Sequence, residues 1–295
     1  MNRLDIETRT RIAAALVEGC SVRSICRMVG ASKGAVLKLV RDLGEACSMF
    51  QDKALRGLKT TRVECDEIWS FCYAKDKNVP RSMEGQPGVG SVWTWTALDA
   101  DSKLMISYFV GDRSGNSAYR FMTDVASRLD NRVQLTTDGH HAYLDAVAVA
   151  FDGIGIDYAQ LVKKYGPGPA DAGRYSPPVV TDIEPFVVMG NPDEDLISTS
   201  YVERANMSMR MGMRRFTRLT NAFSKRVEMH EHSVALFSMH YNFARPHETL
   251  TRKAGRKTTP AMAAGLTDRV WTLGEIVALI HEKPAGRFRR IGAAA

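Results

Sequence analysis

Val63-Glu64-Cys65-Asp66-Glu67-Ile68-Trp69-Ser70-Phe71 is an apolar, aromatic run with carboxylates at its centre. A stretch of this composition, free of Gly and Pro, reads as a strand buried in a sheet. A lone carboxylate is costly to bury, so an inward Asp66 implies a cation or a polar partner beside it. The phase stays open, because a slip of one residue would turn Glu64 or Glu67 inward instead.

Working outward, residues 91–98 and 104–110 alternate as strands joined by the turn Asp99-Ala100-Asp101-Ser102. Residues 117–129 have the spacing of an amphipathic helix. Val133-Gln134-Leu135-Thr136-Thr137-Asp138-Gly139 is a further strand whose exit is marked by Asp138-Gly139, and a helix follows over 142–150. Three antiparallel strands, a helix, a strand and a helix is the order found in ribonuclease-H-like domains, where carboxylates of the first and fourth strands meet at their ends. Residues 156–165 fit a fifth strand and 184–192 a hairpin arm, whereas 166–178 hold too much Gly and Pro for regular structure.

Upstream, residues 6–17 have helical spacing, Ser21 caps a short helix over 22–29 that ends at Gly30, and Ser32 caps a third over 33–43, stopped by Gly44. The last two describe a helix-turn-helix, with Ser32, Lys33, Lys38 and Arg41 on the helix that would enter a major groove of DNA. The expected fold class is therefore α/β, a ribonuclease-H-like mixed sheet flanked by helices and preceded by a small all-α helix-turn-helix domain. The expected divisions are the helix-turn-helix at 1–48, a basic and partly helical linker at 49–61, the catalytic domain at 62–250 with an insertion at about 152–200, and a C-terminal basic tail and helix at 251–295.

Apolar residues make up 44% and charged residues 25%, as in an ordinary soluble globular protein. No apolar run is long enough for a membrane span and the N-terminus lacks the core of a signal peptide, which sets a cytoplasmic expectation without membrane partners. Five cysteines without a Cys-x-x-Cys pair fit neither a disulfide framework nor a zinc ribbon. Charge is uneven: residues 1–60 carry a net of +5 and residues 204–257 a net of +9, leaving −7 for the rest of a chain whose total is +7. Basic ends around an acidic middle suit a protein that grips phosphates and holds cations at its centre.

Asp66, Asp138 and Glu203, the last near the start of the helix Tyr201-Val202-Glu203-Arg204-Ala205-Asn206, are the candidate catalytic and metal-ligating residues. Phosphoryl transfer on DNA needs an activated attacking oxygen, a stabilised leaving oxygen and offset charge; two divalent ions on carboxylate oxygens provide all three. Taken singly, each acid has a structural reading: a different strand phase for Asp66, a turn for Asp138, a helix-face ion pair for Glu203. Asn206 and Arg210 lie three and seven residues after Glu203, hence on its helical face, and Arg214, Arg215 and Arg218 extend the basic surface. His140 and His141 fit capping or packing near Asp138, and His230, His232 and His240 lack a zinc spacing.

Cys65-Asp66-Glu67-Ile68-Trp69-Ser70-Phe71, Thr137-Asp138-Gly139 and the run from Ser198 to Asn206 together resemble the catalytic core of IS1-type insertion-sequence transposases, members of the broad DDE class. So do the run from Arg218 to Lys225 and Tyr241-Asn242-Phe243-Ala244-Arg245-Pro246-His247, and the resemblance spans about residues 60–270. It implies a ribonuclease-H-like core, cut-and-join chemistry on element ends, and two Mg²⁺ (or Mn²⁺) ions on Asp66, Asp138 and Glu203. It also implies double-stranded DNA partners, namely terminal inverted repeats and target DNA, and a cytoplasmic, nucleoid-associated bacterial setting. Asn206, Arg210, Arg214, Arg215 and Lys225 are then expected to position phosphates. A homodimer or larger assembly on DNA is expected, since two ends are joined in one event. The Cys-rich zinc finger often paired with such cores is missing, so end recognition falls to residues 1–48. The rival readings are a DNA-binding regulator with an inert core and a nuclease on the same fold.

Overall fold

The computed structural model describes residues 4–166, 179–217 and 220–281. Arg218 therefore lies outside the described residues. Three strands open the sheet: β1 (Arg62–Cys72), β2 (Gly90–Asp99) and β3 (Met105–Gly111). Next come the helix α4 (Gly115–Ala126), β4 (Gln134–Asp138), α5 (Ala142–Ala150), β5 (Asp157–Gly166) and β6 (Val179–Met189). The six strands lie in the order β3-β2-β1-β4-β5-β6. β1 runs antiparallel to β2 and parallel to β4, β4 is parallel to β5, and β6 returns antiparallel along β5. This mixed sheet flanked by helices is the ribonuclease-H-like architecture.

The central strand is buried on both faces, which is why it reads as a nearly continuous apolar run. Val63 and Cys65 pack with Phe121 and Tyr143 of α4 and α5. On the opposite face Ile68 and Cys72 pack with Val202 of α6 (Ser200–Gly212) and Phe237 of α7 (Val227–Met239). The alternation thus assigns Glu64 and Asp66 to the α6 face and Glu67 to the α5 face. β6 is exposed over most of its length and carries Pro185, a residue an edge strand tolerates because one side of its ladder is unpaired.

The N-terminal helices are α1 (Ile6–Val17), α2 (Val22–Val29) and α3 (Lys33–Ala54). Asp5, Ser21 and Ser32 cap them through side-chain oxygens. α3 does not stop at Gly44 as the sequence suggests. It continues to Ala54, so the first part of the expected linker is helix, and Leu55 and Leu58 beyond it are buried. Gly44 lies where α3 crosses α7, and a Cβ there would overlap the Cα and Cβ of His232. The glycine is thus a close-approach residue and not a stop.

One apolar core runs from Ile12, Ile25 and Leu43 through Phe121 and Leu135 to Ile276. Its far end belongs to α10 (Leu273–Ala278), which follows α8 (Glu248–Ala254) and α9 (Pro260–Ala263). Of residues 251–295, expected as a basic tail and helix, 282–295 lie outside the described residues, whereas 251–281 fold back onto this core, with Trp271 packed on Phe50 and Phe243. Among the described residues no helix is long and apolar enough to cross a membrane.

Candidate active site

The parallel register pairs Cys65 with Thr137, so Asp66 and Asp138 follow side by side on adjacent strands. Asp66, Glu67 and Asp138 each offer a carboxylate oxygen, and these oxygens lie within 4.8 Å of one another. Asp138 ends its strand, and Asp66 and Glu67 reach it from opposite faces of β1. Burial pushes Asp66 up to about 6, with the charges of Asp138 and Glu203 adding and a hydrogen bond from Asn206 opposing. Burial, then the Asp138 charge, pushes Glu67 up to about 8, and the Arg113 guanidinium draws it only partly back. Arg113, just past β3, places Nη2 3.2 Å from Glu67 Oε2 and 3.4 Å from Asp138 Oδ2.

On the other face, α6 is fixed to β1 at two points. Its N-cap, Thr199, makes no side-chain cap bond. Glu64 serves instead, accepting the backbone N–H groups of Tyr201 at 2.8 Å and Val202 at 3.0 Å. One turn on, Asn206 donates to Asp66 Oδ2 at 2.9 Å and accepts from the Thr96 hydroxyl at 2.8 Å. Asn206 is therefore buried beside the carboxylate, whereas Arg210 on the same helix is exposed. Glu203 lies outside the cluster of three: it pairs with Lys163 of β5 and accepts from the Thr199 hydroxyl at 2.6 Å.

The donor set suits a hard divalent cation, being made of carboxylate oxygens alone. Glu67 Oε1 is buried, with the Tyr143 hydroxyl of α5 beside it. His140 donates its backbone N–H to Asp138 at 3.1 Å while its ring packs on Trp95 and Tyr143. His141 begins α5 without a side-chain cap bond. His230 is fully buried, hydrogen-bonded through Nδ1 to Ser224 Oγ at 3.0 Å.

A cavity of about 1000 Å³ separates the N-terminal helices from the segment between α6 and α7. Of the expected DNA-binding residues, Lys33, Arg41, Arg214, Arg215 and Lys225 line it, and among the described residues no acid does. Ser32 and Lys38 do not: the Ser32 side chain caps α3 and Lys38 pairs with Asp42. Arg215 also donates to the buried Ser224 hydroxyl at 3.2 Å.

Sequence reasoning missed Arg113, Lys163, the capping role of Glu64, and Arg23 and Arg226 in the cavity wall. Arg113 had one available signal, since it leaves a strand that the antiparallel hairpin returns to the edge holding Asp138.

No family model and no curated protein matches the chain. Among solved structures, a Mos1 mariner paired end complex with Mn aligns with 54% of this chain at 12% identity and a TM-score of 0.24, and this chain spans 59% of that one. A pre-cleavage Mos1 transpososome aligns with 81% of this chain and 78% of its own at 11% identity and a TM-score of 0.27. A piggyBac transposase synaptic complex with hairpin DNA aligns with 96% and 73% at 11% identity and a TM-score of 0.39. Likenesses this distant leave function to be argued from the site.

Proposed function

We propose that the chain is a DNA transposase of the DDE class, which cleaves at insertion-sequence ends and joins the released 3′-hydroxyl to target DNA. The observation that carries this reading is the approach of Asp66 and Asp138 from parallel strands beside an α6 that Glu64 and Asn206 lock to β1. Two divalent ions, Mg²⁺ or Mn²⁺, held by Asp66, Asp138 and Glu203 would supply activation of the attacking oxygen and offset charge at phosphorus. Asn206, tied to both Asp66 and Thr96, holds the Asp66 carboxylate in one orientation. Arg113 and Lys163 neutralise Asp138 and Glu203 and are both partly open to solvent, so a DNA phosphate can take either cation over. Lys33, Arg41, Arg214 and Lys225 hold duplex phosphates along the basic cavity, with a dimer or larger assembly bringing two ends together.

The test is a labelled duplex taken from the DNA on either side of the reading frame, where the proposal expects inverted repeats, incubated with Mg²⁺ or Mn²⁺. The expected products are a nicked end and a joined species. Asp138→Asn should slow both by at least about a hundredfold, several kcal/mol in the barrier, with duplex binding in EDTA unchanged. Full strand transfer by Asp138→Asn would sink the assignment.

A DNA-binding regulator with an inert core is the second reading, and the Arg113 and Lys163 ion pairs favour it, since they already neutralise Asp138 and Glu203. It is separated by the same assay: specific duplex binding with no cleavage in either metal.

A further inference from the structure

α4 and α5 cover only part of the sheet face that carries Glu67. At that end Trp95, paired with Glu67 across the strands, is fully buried against Phe121 and Tyr143. Two residues further along the same face stand Trp69 and Trp93, directly opposite one another in the register and both partly exposed. The row continues through Phe71, its ring centroid 5.9 Å from that of Trp69, to Phe223 at 4.6 Å from Phe71. Phe223 is delivered from the segment before α7 by backbone pairing: Tyr73 donates its N–H to the Ser224 carbonyl at 2.8 Å.

Cations stand along this row. Arg113 lies over the Trp93 ring at 4.6 Å while it also bonds Glu67 and Asp138. Lys75 lies over Phe71 at 5.6 Å, and Lys225 over Phe223 at 3.1 Å. Trp69, Trp93 and Phe223 are partly exposed, with Phe71 buried between Trp69 and Phe223. Partly exposed rings interleaved with positive charge are the surface chemistry that holds unpaired nucleotides: bases stack on the rings and phosphates meet the cations, with little dependence on sequence.

We infer that Trp93, Trp69 and Phe223, backed by the buried Phe71, form a stacking track for a single-stranded stretch of DNA leading away from the Asp66–Asp138 centre. The track rests on the proposed reading of that centre as a DNA-processing site, and it deepens it by naming an unpaired strand as the ligand of the part of that face that α4 and α5 do not cover. A duplex presents its bases stacked and paired, so the track discriminates a frayed or displaced end from intact duplex.

The experiment measures binding alone, in EDTA, with the full chain. A fluorescein-labelled oligothymidine and a labelled duplex of equal length are titrated, and quenching of indole emission is followed in parallel. Oligothymidine is expected to quench emission from Trp69 and Trp93. Trp69→Leu should weaken oligothymidine binding about tenfold and leave duplex binding within about twofold, and Trp69→Phe should restore most of the loss. Trp93→Leu, at the facing partly exposed indole and outside the basic cavity, should weaken oligothymidine selectively too, so a Trp69→Leu protein that melts early does not decide the matter. The track is overturned if Trp69→Leu and Trp93→Leu bind oligothymidine like the parent, or if both lose duplex and single strand equally. No metal is present and nothing is cleaved, so the two readings fail separately: a protein that never cuts can still show the selective loss, and one that cuts normally can lack it.

Discussion

At the scale of single residues, the site turns on where three adjacent carboxylates point. The run Glu64-Cys65-Asp66-Glu67 left the strand phase open, because strand alternation assigns faces only relative to one another. Both faces of β1 are used: Glu64 and Asp66 meet α6, and Glu67 meets α5 and Arg113. That arrangement was not legible, since a strand buried on both sides has no polar face to fix its phase. It has a measurable consequence in the metal-free protein. Glu67 is raised to about 8 and Asp66 to about 6, so the folded chain holds protons that the unfolded chain releases near pH 4. Stability from these groups is fully present below pH 4 and declines as pH rises through 6 and then 8. Glu67→Gln keeps the shape and cannot ionise, so it should stabilise the metal-free protein at pH 8 by roughly 1–2 kcal/mol and have little effect at pH 5. Thermal melts in EDTA across pH 5–9 read this directly, and equal shifts at both ends would show that Glu67 is not protonated in the fold.

At the scale of elements, α6 is the part that organises the centre. Its helical character, and the placing of Asn206 on the Glu203 face, could be read from spacing alone. What anchors it could not, because Glu64 is separated from Tyr201 by most of the sheet in sequence. An off-helix carboxylate at a helix N-terminus satisfies orphan N–H groups and favours the helix dipole. Glu64→Ala should therefore cost about 1–2 kcal/mol by denaturant unfolding. Because α6 also carries Asn206 and Glu203, the same change should weaken Mn²⁺ binding, followed by calorimetry. Glu64→Gln still accepts a hydrogen bond, so it should recover part of both losses; a stability loss with unchanged Mn²⁺ affinity would reduce Glu64 to an ordinary cap. Gly44 is the matching case on α3, read as a stop from its identity alone when its cause is the crossing with α7, which only packing reveals.

At the scale of the whole molecule, the charge map was legible and its convergence was not. Two basic stretches could be counted along the chain, yet their meeting depends on α3 packing across α7, which brings Lys33 and Arg41 to the same cavity as Arg214 and Lys225. Arg23 of α2 and Arg226 before α7 face this cavity as well, and neither stood out in sequence from the other surface arginines. If duplex phosphates lie along the cavity, each lost phosphate contact lowers the slope of log K against log salt by about 0.9. An Arg23→Gln/Arg226→Gln protein should then show a slope smaller by about 2 and weaker duplex binding at low salt. Arg11, exposed on α1 and absent from the cavity wall, provides the control, and Arg11→Gln should leave the slope unchanged. Fluorescence anisotropy of a labelled duplex between 50 and 200 mM salt makes the comparison. Equal slopes for all three proteins would place the duplex elsewhere, whereas a loss confined to the cavity variant ties the N-terminal helices and the segment before α7 into one surface around the DNA backbone.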